Sequence, residues 1–364
     1  MKTEITNSKI HNLQNSKAIV FPCSPLETLQ IPLSLLSEEK SLREQVLSRY
    51  FQEMFVSCNQ INDLWNIDLS WPKNPEFYID PNIQEGISNW ASNVQITDIP
   101  FSLKVSEHYQ ESLNDNWTLY AWSKWWKSLS QSSRFFSKIT ILHIDDHEDI
   151  MSPKLYVHKG KLFDLLTHQS LSIEDPESIK SAILSSSIGI GEFILPFLWE
   201  VPCEIEIRHL CARERENKHS AFSLELSSKP DLLYPQFQRL MGNLSPYHSN
   251  NPSRLSYFVT DDINEFVKGE FHGPILLHID LDYFNDRYDG CSNWKEQIRI
   301  HDPQREALLS SLNDLLNILR TKNLISSIAN ITISTSPGFF PSEYWEDSLA
   351  LVRNSLRTCC IFIR

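Results

Sequence analysis

Ile141-Leu142-His143-Ile144-Asp145-Asp146-His147-Glu148-Asp149 and, far downstream, Leu276-Leu277-His278-Ile279-Asp280-Leu281-Asp282 share the phrase Leu-His-Ile-Asp. Each copy is a short apolar run that breaks abruptly into Asp and His. This is the pattern of a buried parallel strand whose carboxyl end delivers side chains into a site. In extended chain, residues two apart face the same way, so Asp145, His147 and Asp149 can converge, as can Asp280 and Asp282.

Working outward from these two strands, Ala18 to Phe21, Val94 to Val105, Cys203 to Ile207, Tyr257 to Thr260 and Ile331 to Ser334 read as further strands. Leu42 to Phe55, Trp117 to Leu129, Ser178 to Leu184 and Glu306 to Leu319 have helical spacing, and Trp65 to about Asn93 reads as irregular. Strands alternating with helices predict an α/β fold with a mostly parallel central sheet covered on both faces. Residues 1–95 differ in character and are expected to form an N-terminal accessory region, with residues 96–364 as the catalytic domain. That region is either a packing element or a binder of a leader peptide. Trp122, Trp125 and Trp126 lie at i, i+3 and i+4, which suits a buried helix face, with a peptide groove lined by Trp117, Trp122, Trp125 and Trp126 as the alternative.

The 364-residue chain is long enough for a large core, and its 41% hydrophobic content excludes a disordered chain. A net charge of −13 argues against nucleic-acid and anionic-membrane partners and is compatible with a cationic substrate. Seven cysteines without C-x-x-C spacing point to a reducing cytoplasm, and adjacent Cys359-Cys360 in an apolar tail read as buried thiols and not a bridge. The amino-terminal residues lack an apolar signal region, and no stretch approaches the roughly 18 apolar residues that span a bilayer.

Four ionised carboxylates cannot crowd one pocket unless cations neutralise them. A donor set dominated by Asp oxygens, with some imidazole and no thiolate, favours Mn²⁺ or Mg²⁺ over structural Zn²⁺, and its histidine tilts it toward Mn²⁺. Two such ions about 3.5–4 Å apart lower the pKa of a shared water enough for hydrolysis near neutral pH.

Asp145-x-His147-x-Asp149 and Asp280-x-Asp282 resemble the two metal motifs of the arginase–deacetylase (ureohydrolase) superfamily. The resemblance covers roughly residues 95–350. It implies a three-layer α/β/α fold and a centre of two Mn²⁺ held by His108, Asp145, His147, Asp149, Asp280 and Asp282. His108, in Val105-Ser106-Glu107-His108, is the best match to a further ligand at the end of an earlier strand. Asp149 would pass a proton to the leaving amine. His158 or His168 would stand in for a proton-shuttling histidine, with His158 the first choice. His143 and His278 read as core residues that orient ligands, and Asn285 and Asp286 as supporting groups behind Asp282.

More narrowly, the motifs are similar to those of peptide arginases, which convert arginine side chains of precursor peptides to ornithine. Free-arginine enzymes carry Asp-Ile-Asn-Thr-Pro, whose Asn helps hold the substrate carboxylate, where this chain has Asp149-Ile150-Met151-Ser152-Pro153. They also carry Glu-Val-Asn-Pro where this chain has Ser334-Thr335-Ser336-Pro337. The acid that grips the guanidinium is therefore missing from its usual place, with Glu192, Glu343 and Glu346 as candidates. The expected activity is hydrolysis of arginine side chains in a peptide, with a single-zinc deacetylase-like amidohydrolase and a non-catalytic binding protein as rivals.

Overall fold

The computed structural model describes residues 17–360 apart from 24, 25, 27, 130–135, 213–218, 248–252, 298–300 and 325–326. The side chains of 219 and 357–360 are also outside the description, so the reading of Cys359 and Cys360 as buried thiols lies outside the described residues.

In chain order the strands are β1 (Ile19–Val20), β2 (Leu29–Pro32), β3 (Phe55–Ile61), β4 (Leu64–Ser70), β5 (Ser102–Val105), β6 (Gln110–Ser112), β7 (Lys138–Ile144) and β8 (Leu155–His158). They continue as β9 (Lys161–Asp164), β10 (Ser170–Leu171), β11 (Glu204–Leu210), β12 (His219–Pro230), β13 (Gln238–Pro246), β14 (Leu255–Thr260), β15 (Ile275–Asp280) and β16 (Ile328–Ser334). Thirteen of them form one sheet in the order β1-β5-β6-β16-β15-β7-β11-β14-β12-β13-β8-β9-β10.

The expectation of a mostly parallel sheet does not hold. Seven of the pairings are antiparallel and five are parallel. The five parallel pairings are contiguous and join the six strands from β6 to β14, so both copies of Leu-His-Ile-Asp sit side by side on β7 and β15. The antiparallel majority comes from hairpins added at both margins. A hairpin needs only a short turn, whereas each parallel step needs a crossover connection. The β12–β13 hairpin was the hardest to foresee, because β13 is mostly half-buried or exposed and lacks an apolar run.

Alternation along the central strands splits the core in two. Leu142, Ile144, Leu277, Ile279 and Ile333 face one side, under the helices Arg305–Thr321 and Trp345–Cys360. Ile139, Ile141, Leu276, Ile205 and Ile207 face the other, under Trp117–Ser128, Pro176–Leu184 and Ile194–Glu200. Trp117, Trp122 and Trp126 are buried in this second core, which is the helix-face reading of the tryptophans and not a groove.

The first 95 residues divide between two settings. The small sheet β2-β4-β3 and the helix Lys40–Tyr50 build a third core that docks on Leu233. Tyr50 clamps this unit by donating its hydroxyl to Asp231, at 2.9 and 3.0 Å from the two carboxylate oxygens. By contrast, β1 pairs with β5, and Tyr78, Ile83, Ile87 and Trp90 belong to the first core. The stretch expected to be irregular contains β4 and the helix Ile83–Trp90, and Val94 to Val105 is a strand only from Ser102. No helix among the described residues is long and apolar enough to cross a membrane.

Trp122 is fully buried and meets Phe193 and Phe197 edge-on at centroid distances of 5.8 and 5.1 Å. Replacing it with Ala should cost about 3–5 kcal/mol of stability, read as a lower urea midpoint at unchanged slope.

Candidate metal centre

Ile144 ends β7, and the chain then turns instead of running on extended. The His147 N–H donates to Asp145 Oδ1 at 2.6 Å, closing a bend, and Asp149 takes a left-handed backbone with φ 52°. Asp tolerates that region better than most residues. These two turns, not strand alternation, bring Asp145, His147 and Asp149 together. On β15, Asp280 accepts the Asp282 N–H at 3.2 Å and so caps the short helical turn Leu281–Phe284, which carries Asp282 toward His147. His147 Nδ1 lies 3.0 Å from Asp282 Oδ2, and the Asp146 N–H donates to Asp282 Oδ1 at 3.2 Å.

Among the described residues three groups of donor atoms result, the atoms of each within 4.8 Å of one another: His143/Asp145/Asp149/His278, Asp145/His147/Asp282 and His147/Asp286/Asp289. Asp145 belongs to the first two and His147 to the last two. Asp145 Oδ2 and Asp149 Oδ2 are buried with no hydrogen-bond partner, as they would be if they faced a cation. The donor set is oxygen and imidazole without sulfur, so these buried groups could hold metal ions.

The electrostatics point the same way. Two carboxylates about 4 Å apart repel by about 4 kcal/mol at an effective dielectric of about 20. One hydrogen bond returns only about 0.5–1.5 kcal/mol, so protons or cations must supply the balance. Burial, then Asp149 and Asp282, hold Asp145 well above the usual carboxylate range, and burial also raises Asp149 despite His143. Burial and then Asp282 push both Asp280 and Asp286 up to about 8. Burial works to lower His147, but Asp282 and hydrogen bonds to Asp145, Asp282 and Asp289 together hold it well above its ordinary value.

Behind the cluster, His143, His209 and His278 form a row across β11, β7 and β15 at one register position, all fully buried. His143 Nε2 faces the carbonyl of His147 at 3.1 Å, and a carbonyl can only accept. Nε2 therefore carries the proton, and Nδ1 accepts from His278 Nδ1–H at 3.0 Å. Burial lowers His143, and burial together with His143 lowers His278 well below the ordinary value, so both rings are neutral spacers. His209 Nε2 lies 2.9 Å from the Asp145 carbonyl and holds that residue from its main chain.

Not every expected residue arrives. His108 sits exposed in the turn between β5 and β6, before β6, whereas the cluster follows the carboxyl ends of the strands parallel to it. Asp115, past the end of β6, lines the cavity instead. Asp280 lines the cavity but belongs to none of the three donor groups. Its Oδ2 accepts from Ser334 at 2.7 Å and Ser336 at 2.5 Å, so its oxygens are already in use. His158 is exposed at the outer end of β8 and packs on Phe163, while His168 packs on Phe237; neither lines the cavity. Asn285 points elsewhere, its amide donating to Asp302 at 2.9 Å.

The cavity over the cluster has a volume of about 650 Å³. The exposed side chain of Met151 forms part of its wall, with Leu244 and Phe339, and Gln52 enters from the small amino-terminal unit. Sequence reasoning missed Asp115 and Asp289; the only signal for either was an acid near a strand end. No protein-family model and no curated protein matches the chain.

A carboxyl group whose folded pKa is raised binds its proton more tightly than in the unfolded chain, so its stabilising effect is lost as pH rises through the folded value. Asp280, Asp286 and the raised His147 all act in that sense, while the lowered His143 and His278 oppose it only below their ordinary 6.5. The metal-free protein should therefore lose melting temperature from neutrality through about pH 8. Added Mn²⁺ should restore it, most at the alkaline end, and Asp145→Asn should abolish that metal-dependent rise. Thermal melts across pH with EDTA or Mn²⁺ measure both effects.

Proposed function

We propose that the chain is a metal-dependent hydrolase of the ureohydrolase type, using two Mn²⁺ to convert arginine side chains of a peptide to ornithine with release of urea. One observation carries the reading. Of the residues lining the cavity, seven are Asp or Glu and none is Lys or Arg. Two divalent ions balance four of those charges, so the cavity still favours a cationic group. A free amino acid would bring an α-carboxylate with no cationic side chain to meet it. In a peptide that carboxylate is an amide, which removes the conflict, and Met151 at the wall suits a neutral backbone.

Asp145, His147, Asp149 and Asp282, with Asp286 and Asp289 beside them, would hold the ions. Bound there, the ions would supply Lewis acidity, bringing the pKa of water near neutrality. The chain's own groups do the rest. Asp149, whose Oδ2 is buried without a hydrogen-bond partner and would face an ion, would through its other oxygen accept a proton from the attacking water and return it to the departing ornithine amine. His143 Nε2 lies 3.6 Å behind Asp149 Oδ2. His147 is the one histidine among the described residues that lines the cavity, and as a ligand its coordinating nitrogen would be unprotonated.

The test is mass spectrometry of arginine-containing peptides incubated with Mn²⁺-loaded protein. The expected result is loss of CH₂N₂ per converted residue with equimolar urea, slowed about 10²–10⁴-fold by Asp149→Asn. Unchanged peptide mass would overturn the assignment. One zinc per chain with release of acetate from acetyl-lysine peptides would transfer it to a deacetylase-like amidohydrolase.

A further inference from the structure

Of the acids lining the cavity, Asp115 is the one that stands outside the donor groups and yet keeps a buried carboxylate oxygen without a partner. Asp115 is three residues beyond β6, which runs in register with β16, so it emerges at the same end of the sheet as the cluster. It is 5% exposed and lines the cavity. Its Oδ2 takes a single long bond, 3.3 Å from the Gly191 N–H, and its Oδ1 is buried with no partner. It stands outside every donor group that could hold an ion.

The other candidates for gripping a cation are already engaged. Glu192 is paired with Lys154 at 2.9 Å and accepts the Gly189 N–H at 2.8 Å. Glu343 is tied to Arg287 at 2.6 Å, away from the cavity, and Glu346 is exposed. Asp280 is held by two serine hydroxyls.

We propose that Asp115 is the specificity residue that anchors the substrate's guanidinium, an assignment that rests on the hydrolase reading above. A planar guanidinium presents paired N–H donors, which suit a carboxylate with one free oxygen and one weakly held oxygen. The position is productive. A Cβ on Gly191, whose N–H meets Asp115, would lie 3.7 Å from Asp149 Oδ1, so this one glycine separates the anchor from the proton carrier. The amino-terminal unit reinforces the anchor through the same loop: the Ile190 N–H donates to Glu53, whose other carboxylate oxygen is also buried without a partner. Glu53 does not line the cavity and acts as a positioning residue.

The experiment uses the Mn²⁺-loaded full chain and two probes, N-acetyl-arginine amide and its neutral ureido counterpart N-acetyl-citrulline amide, with binding measured by calorimetry. The wild-type protein should prefer the arginine probe by at least about ten-fold, the scale of one charge-assisted hydrogen bond. Asp115→Asn, which keeps the shape, should abolish that preference while metal content stays at the wild-type value. Asp115→Glu should recover part of it, which guards against a folding defect in the first variant. Loss of metal in Asp115→Asn, or retention of the preference, overturns the anchor. A wild-type protein that discriminates the probes through Asp115 yet hydrolyses no peptide would keep the anchor and remove the reaction. Peptide hydrolysis with the preference intact in Asp115→Asn would do the reverse.

Discussion

Mutual repulsion among carboxylates buried at the carboxyl ends of β7 and β15 is the constraint on which the rest of the site depends. Asp145, Asp149, Asp280 and Asp282 are each almost fully buried. Their positions are fixed by main-chain turns and by neighbours that donate hydrogen bonds, so they cannot move apart to relieve the repulsion. A fold that retains such an arrangement must hold protons or cations there, and the unpartnered oxygens of Asp145 and Asp149 mark where a cation would sit.

The surrounding structure serves that constraint. The row of His143, His209 and His278 fills the layer beneath the acids, and burial lowers the pKa values of His143 and His278, which avoids both an empty space and added positive charge there. Each ring satisfies its neighbours by hydrogen bonds to a carbonyl, to another ring or to Tyr257. The two helical layers close the sheet on both sides, leaving the loop ends as the open face. The left-handed backbones at Asp149 and Ser336 both border the cavity, where such conformations tend to be tolerated for function.

What was legible in the sequence was local. The apolar runs of β7 and β15 and the long helix Arg305–Thr321 declared themselves by period, and Asp145, His147, Asp149 and Asp282 by their alternation at strand ends. The alternation brought these residues together for an incomplete reason, since they meet through a bend and a left-handed turn. What was illegible was pairing. The hairpins at both margins of the sheet have half-exposed faces and no period strong enough to betray them, yet they decide that the sheet is mostly antiparallel.

The same distinction separates the two halves of the candidate site. A strand followed at once by its acids needs only one segment to be read correctly, which is why the His/Asp cluster could be assembled from two motifs. The facing wall of the cavity is built from the end of β6, the loop around Gly191 and the small amino-terminal unit, segments that only the fold brings together. His108 was attractive because it followed a strand-like run, but it lies in the turn of the hairpin β5–β6, at the end of the sheet opposite the cluster. The reversal that removes His108 is also what delivers Asp115. A one-strand difference in reading thus exchanges an exposed imidazole for a carboxylate that lines the cavity.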